Sequence, residues 1–107
     1  MSETWIRIVI YRCEGPADAG SVDYMRKSVQ DVVRILEREP GFQLGYWGNN
    51  AEQGRMAAVT YWSSKEAIER ASAALTELHQ ERAARGIVID RAHNVRLFAG
   101  TPVESLS

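Results

Sequence analysis

The apolar rhythm of the chain reads strand, helix, strand, and then the same order again, hinged on Glu39-Pro40-Gly41-Phe42. Trp5 to Tyr11 alternates with a period of two, as a strand does. Val22 to Glu39 carries its apolar residues at helical spacing; Pro40 forbids the helix to go on, and Phe42 to Trp47 resumes as a strand. Met56 to Trp62, Lys65 to Arg85 and Val95 to Ala99 repeat that order. A split βαβ unit built twice predicts an α+β, ferredoxin-like βαββαβ domain with a four-stranded antiparallel sheet. The two halves agree in pattern, not residue for residue.

Composition limits what such a domain can be. With 107 residues and 45 % apolar content the chain is expected to form one domain over 1–107, with residues 101–107 a frayed tail. A chain of this size buries roughly two-thirds of its unfolded surface, enough for one layer of helices on a sheet. The other sheet face would stay bare, yet Ile6, Ile8 and Ile10 lie on one face of the first strand and Arg7, Val9 and Tyr11 on the other. A strand with two apolar faces asks for cover on both. Thirteen basic and fourteen acidic residues give a formal charge of −1 with no block of one sign, which argues against nucleic acid and anionic membrane as partners. A lone cysteine, Cys13, leaves no internal disulfide framework and fits a reducing, cytoplasmic setting. Met1-Ser2-Glu3-Thr4 lacks the basic region of a signal peptide, and no apolar run approaches the ~20 residues of a membrane span.

Local signals place the elements. Val22, Met25, Val29, Val32, Val33 and Leu36 form the seam of the first helix, with Ser21 as its expected N-cap and Asp23 in its first turn. Phe42, Leu44 and Tyr46 share one face of the second strand. Gly48 to Gly54 supplies turn residues for a hairpin into the third strand, whose Met56, Ala58, Thr60 and Trp62 share a face. The small residues at its centre leave room beside the sheet. Ser63-Ser64-Lys65-Glu66 reads as a capping box, with Ser63 as the cap and Glu66 reaching back. The helix that follows has an alanine-rich stripe, and either runs close to the sheet or breaks in two around Ala71 to Leu75. Gly86 is its expected terminator.

With these elements in place the chain resembles the antibiotic-biosynthesis-monooxygenase-like family. The resemblance rests on Glu39-Pro40-Gly41-Phe42 closing the first helix, on Thr60-Tyr61-Trp62-Ser63-Ser64-Lys65-Glu66-Ala67, and on Asn94-Val95-Arg96-Leu97-Phe98; it spans roughly residues 4 to 100. It implies that two subunits join their sheets into a dimeric α+β barrel, which would cover the second apolar face, so the expected partner is a second copy of the chain. It also implies a cofactor-independent monooxygenase acting on a small aromatic or polyketide-like compound. A non-catalytic ligand-binding or accessory protein of the same fold is the alternative. The haem-degrading branch is the third reading. It uses a tryptophan in the second helix, which falls here near Ala71, and an asparagine in the first strand, which Trp5 to Tyr11 lacks. Its histidine falls a residue or two from His79. No cofactor is expected on this pattern, haem being left open.

The residue chemistry fits a pocket for a flat ligand. Tyr24, Tyr46, Trp47, Tyr61 and Trp62 are a dense aromatic set for so small a domain. They are able to hold a hydrophobic or aromatic molecule by area and stacking, and equally to fill a core or a subunit interface. Cofactor-free oxygenation draws its electrons from a substrate that forms a stabilised carbanion, so the protein supplies positioning and hydrogen-bond donors. Trp62, Tyr46 and Tyr24 are candidate catalytic donors; Asn49 and Arg96 are candidates to steady an enolate. His79 is the candidate acid–base group, against the plainer reading of a helix-end histidine. Trp47, Tyr61 and Arg96 are the candidate substrate-binding residues. His79 and His93 stand far apart with no framing Cys, Asp or Glu, so no metal site is expected. Cys13 has no neighbouring histidine to activate it. Arg7, on an apolar strand, either finds a partner inside or reaches water at an edge.

Overall fold

A computed structural model describes residues 3–14 and 22–98. The elements run β1 (Trp5–Cys13), α1 (Val22–Leu36), β2 (Phe42–Asn50), β3 (Arg55–Trp62), α2 (Lys65–Ala74), α3 (Thr76–Ala84) and β4 (Ile87–Arg96). The strands form one four-stranded sheet in the order β2-β3-β1-β4, with every neighbouring pair antiparallel. This is the ferredoxin-like βαββαβ arrangement. Ser21 and the tail from Ala99 onward lie outside the described residues.

Helix α1 ends at Leu36, three residues before the proline stop expected at Glu39. The amides of Arg38 and Glu39 then reach back only three residues, to Ile35 and Leu36 (3.2 and 3.0 Å), a tighter turn that leads into Pro40. A glycine must follow. A Cβ at Gly41 would lie 2.4 Å from the Cβ of Ala67, so the alanine-rich face of α2 settles directly on this turn. The carbonyl of Gly41 accepts the Ser63 amide at 2.8 Å. The cap of α2 is accordingly Ser64, not Ser63: its backbone is extended and its hydroxyl accepts the Ala67 amide at 3.1 Å. With the cap one residue later, Glu66 sits too early in the helix for the expected capping box. The second helical stretch takes the broken alternative, α2 and α3 parting at Leu75, which has φ −90° and ψ 0°. Gly86 ends α3 at φ +86°, where a side chain would be strained.

Two irregularities redirect side chains in ways that strict alternation hides. Gln43 is an extra residue opposite β3, so Phe42 pairs with Trp62 and faces the helices, while Leu44 and Tyr46 face the other way. Asp90 is extra opposite β1, so Ile87 and Ile89 face the helices with Tyr11, whereas Val95 turns to the opposite face with Ile6. The last strand is also longer than Val95 to Ala99. It begins at Ile87, and its polar middle, including His93, is held by the ladder to β1 and not by any apolar pattern.

The core lies on the helix side in two clusters. Val9, Tyr11, Met25, Met56, Ala58 and Ile87 form one, at the start of α1. Val32, Leu36, Trp62, Ala67, Ile68, Ala71 and Leu75 form the other, where α1 meets α2, and Trp47 packs against both. No helix among the described residues lies on the opposite face. That face presents Ile6, Ile8, Ile10, Leu44, Tyr46, Val59, Tyr61 and Val95, by register, with Leu44 and Val95 each 43 % exposed.

Candidate functional site

Small residues at the centre of β3 set the geometry. Ala58 and Thr60 face the helices between the rings of Trp47 and Trp62, and a cavity of about 30 Å³ remains over them, walled also by Arg7, Tyr11 and His79. Such a space holds about one water. Tyr11 and His79 also wall a larger hollow of about 320 Å³, between α3 and the first half of β4, with Thr76, Arg82, Ile87 and Ile89. A third hollow of about 540 Å³ lies between α1 and β2, where Met25, Val29, Asn49 and Met56 surround the other side of Trp47. It is the largest of the three, but the groups whose ionisation is perturbed mainly by burial gather around the first two.

Those groups are Arg7, Tyr11 and His79. Burial pushes the Tyr11 phenol up, against the opposing pull of Arg82 and Arg7. Burial pushes the Arg7 guanidinium down, Tyr11 opposing it, while its Nη1 donates to Asn94 Oδ1 at 3.0 Å. An edge position does not apply to Arg7, since β1 is an inner strand. His79 is pushed down by burial first, and further by Arg82 and Arg7. Its ring is tilted toward Tyr11, with centroids 6.5 Å apart. Burial and the two nearby guanidiniums all favour the neutral imidazole over the charged one.

Arg82 enters from α3, only 2 % exposed, and donates through Nε to Ser28 Oγ at 2.7 Å. Its guanidinium carbon stands 5.6 Å from the centre of the Tyr11 ring. The Tyr11 hydroxyl is near enough for Arg82 to act on its ionisation, yet no acceptor meets Nη2 in hydrogen-bond geometry. On β3, the Trp62 Nε1–H donates to Thr60 Oγ1 at 2.8 Å, and the Trp62 ring meets Phe42 edge-on at 5.2 Å. Because Thr60 Oγ1 accepts from the indole, its own hydroxyl hydrogen is directed elsewhere, and Thr60 lines the small cavity.

The structure divides the residues that the sequence grouped. Trp47, Trp62 and His79 meet on the helix side. Tyr46, 67 % exposed, and Tyr61 are carried by the opposite sheet face, so the aromatic set is not one pocket. Tyr24 packs beside the cluster at the start of α1, with the Arg85 guanidinium 5.0 Å from its ring centre. Asn49 is an exposed wall of the α1–β2 hollow. Arg96 sits on the edge strand, paired with Glu3 at 3.1 Å. Thr60, Tyr11, Ser28 and Arg82 escaped the sequence reading as site residues, and Arg7 takes the inward alternative of the two weighed for it. Thr60 and Tyr11 had a signal in their phase with Trp62 and Val9. Ser28 and Arg82 had none, since each is a polar residue on a helix whose burial depends on how α1 and α3 meet. Among the described residues no three His, Cys, Asp or Glu side chains group as metal ligands, and no helix is long and apolar enough to cross a membrane.

No protein-family model matches the sequence, and no curated protein is similar to it in sequence. Solved structures do match. The cofactor-independent oxygenase SnoaB of Streptomyces nogalater has 12 % identity and a TM-score of 0.66, over 92 % of this chain and 95 % of that one. The ActVA-Orf6 monooxygenase of Streptomyces coelicolor, in complex with nanaomycin D, has 15 % identity and a TM-score of 0.65, over 92 % and 88 %. An antibiotic biosynthesis monooxygenase from Bordetella bronchiseptica, described as putative, has 13 % identity and a TM-score of 0.66, over 91 % and 99 %. The chain has the fold of the antibiotic biosynthesis monooxygenases.

Proposed function

We propose that the chain is a cofactor-independent monooxygenase of a small phenolic, aromatic or polyketide-like substrate, working in the cytoplasm as a homodimer. The observation that carries this reading is His79, held neutral by burial and by Arg82 and Arg7, at the wall between the small cavity and the 320 Å³ hollow. The fold shared with SnoaB supports it.

The chemistry follows from that placement. A phenol bound in the hollow beside Tyr11 and His79 gives its proton to the imidazole, and the two guanidiniums favour the resulting phenolate. Dioxygen takes electrons from the phenolate ring and bonds to one ring carbon as a hydroperoxide. That carbon then loses its hydrogen and the O–O bond breaks, leaving a quinone carbonyl and one water. One oxygen atom enters the product, the other leaves in water, and the substrate supplies all the electrons. Thr60 donates to the peroxide oxygen from the small cavity, whose size suits dioxygen or water and not the ring system. Trp47 and Trp62 screen that cavity from bulk water.

The uncovered sheet face supports the dimer. A second copy laid on Ile6, Ile8, Val59 and Tyr61 would remove their apolar surface from water. Ile8→Glu would bury a charge in such an interface, and light scattering should then report a monomer; a monomeric parent protein would remove this part of the proposal. The reaction itself is tested by oxygen uptake with polycyclic phenols. Quinone formed in a one-to-one ratio to oxygen, with kcat lowered about 100-fold in His79→Gln, is the expected result. Ligand binding without oxygen uptake would instead point to a non-catalytic carrier.

A further inference from the structure

We propose that Trp47 is the specificity-determining residue of the small cavity: its ring closes the path from the α1–β2 hollow, passes dioxygen and turns larger molecules back. This inference rests on the small cavity being the oxygen site of the proposed reaction, but its test needs no turnover.

Among the described residues, Trp47 alone lines both the 30 Å³ cavity and the 540 Å³ hollow between α1 and β2. It also walls a further hollow of about 420 Å³, beside Val33 and Phe42. One ring therefore parts the inner cavity from all the open space on this side of the fold. Toward β4 the partition is made by two other side chains, Tyr11 and His79, which face the hollow where the phenol lies. The cavity thus has two separate approaches, one past Trp47 and one past the reacting groups.

The two tryptophans of the cavity are held very differently. Trp62 is tied by its bond to Thr60 and by its edge contact with Phe42. Trp47 is half-buried, and among the described residues neither a hydrogen bond at its indole N–H nor an aromatic partner fixes it. Its seat is bare backbone. A Cβ at Gly45 would lie 2.6 Å from Cη2 of the ring and 3.0 Å from Cζ3, so the indole fills the space that a side chain there would take. Across the ladder its partner is Ala58, which is equally small. On the hollow side stand Met25 and Met56, whose unbranched chains adapt readily to a moving neighbour. A ring seated on glycine and alanine is able to shift by the width of a diatomic gas without breaking a polar contact. An aromatic molecule would have to displace it altogether. The destination also favours the gas: Val9, Val32, Leu36, Ile68 and Leu75 wall a space of about one water, and give water no partner.

The reporter is Trp62, which lines the cavity and is 1 % exposed. In a Trp5→Phe background, Trp47→Phe and Trp47→Ala each leave Trp62 as the sole tryptophan of the chain. Its fluorescence lifetime is followed against dissolved dioxygen and against acrylamide, a larger quencher. With phenylalanine, whose ring still covers Gly45, dioxygen should quench and acrylamide should scarcely do so. With alanine the cavity and the hollow merge, and acrylamide quenching should rise several-fold; if that protein fails to fold, Trp47→Val serves instead. The route is read in the Trp47→Phe protein. Val29→Phe, which fills the α1–β2 hollow, should slow dioxygen quenching several-fold, while Ile89→Phe, which fills the α3–β4 hollow, should leave it unchanged. Equal acrylamide quenching in the phenylalanine and alanine proteins, or dioxygen slowed as much by Ile89→Phe as by Val29→Phe, overturns the proposal. A parent protein that takes up no oxygen with phenols would refute the oxygenase reading and leave these lifetimes as they are.

Discussion

Thr60→Val isolates the bond that holds the floor of the cavity. Valine copies the shape of threonine, so packing is kept, while the acceptor for Trp62 Nε1 at 2.8 Å is lost. Trp62 is 1 % exposed and Thr60 6 %, so the orphaned indole N–H has little access to bulk water. An unsatisfied buried donor costs about 1–3 kcal/mol. In a domain of this size that lowers Tm by roughly 4–12 °C, taking ~4 °C per kcal/mol. Trp62→Phe removes the donor instead. In that background Thr60→Val should cost nothing or stabilise, because the hydroxyl it deletes has itself lost its partner. The coupling between the two positions should then be on the order of 1–3 kcal/mol by urea unfolding of the four proteins. A Thr60→Val cost that is the same with and without the indole N–H refutes the reasoning. If the hydroxyl also donates to the reacting oxygen, oxygen uptake by Thr60→Val should fall by more than its loss of folded protein explains.

Two further perturbations have signs set by the structure. His79 is pushed below its ordinary value, mainly by burial, so between about pH 6.5 and its folded-state value the unfolded chain binds a proton that the folded chain refuses. Stability should therefore fall as pH drops through that window and then level off; His79→Gln should flatten the slope in urea midpoints, and an unchanged slope would contradict the assignment. Gly41→Ala would set two Cβ atoms 2.4 Å apart at Ala67, which is fully buried, and overpacking of that kind costs about 1–3 kcal/mol. Gly48→Ala, with nothing within 4 Å of its added Cβ, is the matched control and should change Tm much less.

Much of the architecture is legible in the chain itself because its signals are local. The seam of α1, the stop at Pro40-Gly41, the turn residues before Arg55 and the terminator Gly86 each act over a few neighbours, and together they dictate the order of elements. The two apolar faces of β1 announced a sheet that asks for cover on both sides. What escaped was every feature that depends on two distant segments meeting. Gln43 and Asp90 turn Phe42 and Val95 to faces that alternation assigns wrongly, and only the ladders to β3 and β1 place those bulges. The sheet separates Tyr46 and Tyr61 from Trp47 and Trp62, although all four are aromatic neighbours in sequence. Ser28 and Arg82, 54 residues apart, become a buried pair only because α1 and α3 lie on the same face of the sheet. Spacing along a chain encodes which way a side chain points within its own element; which charge ends up buried, and whether it finds a partner there, is decided by how the elements pack.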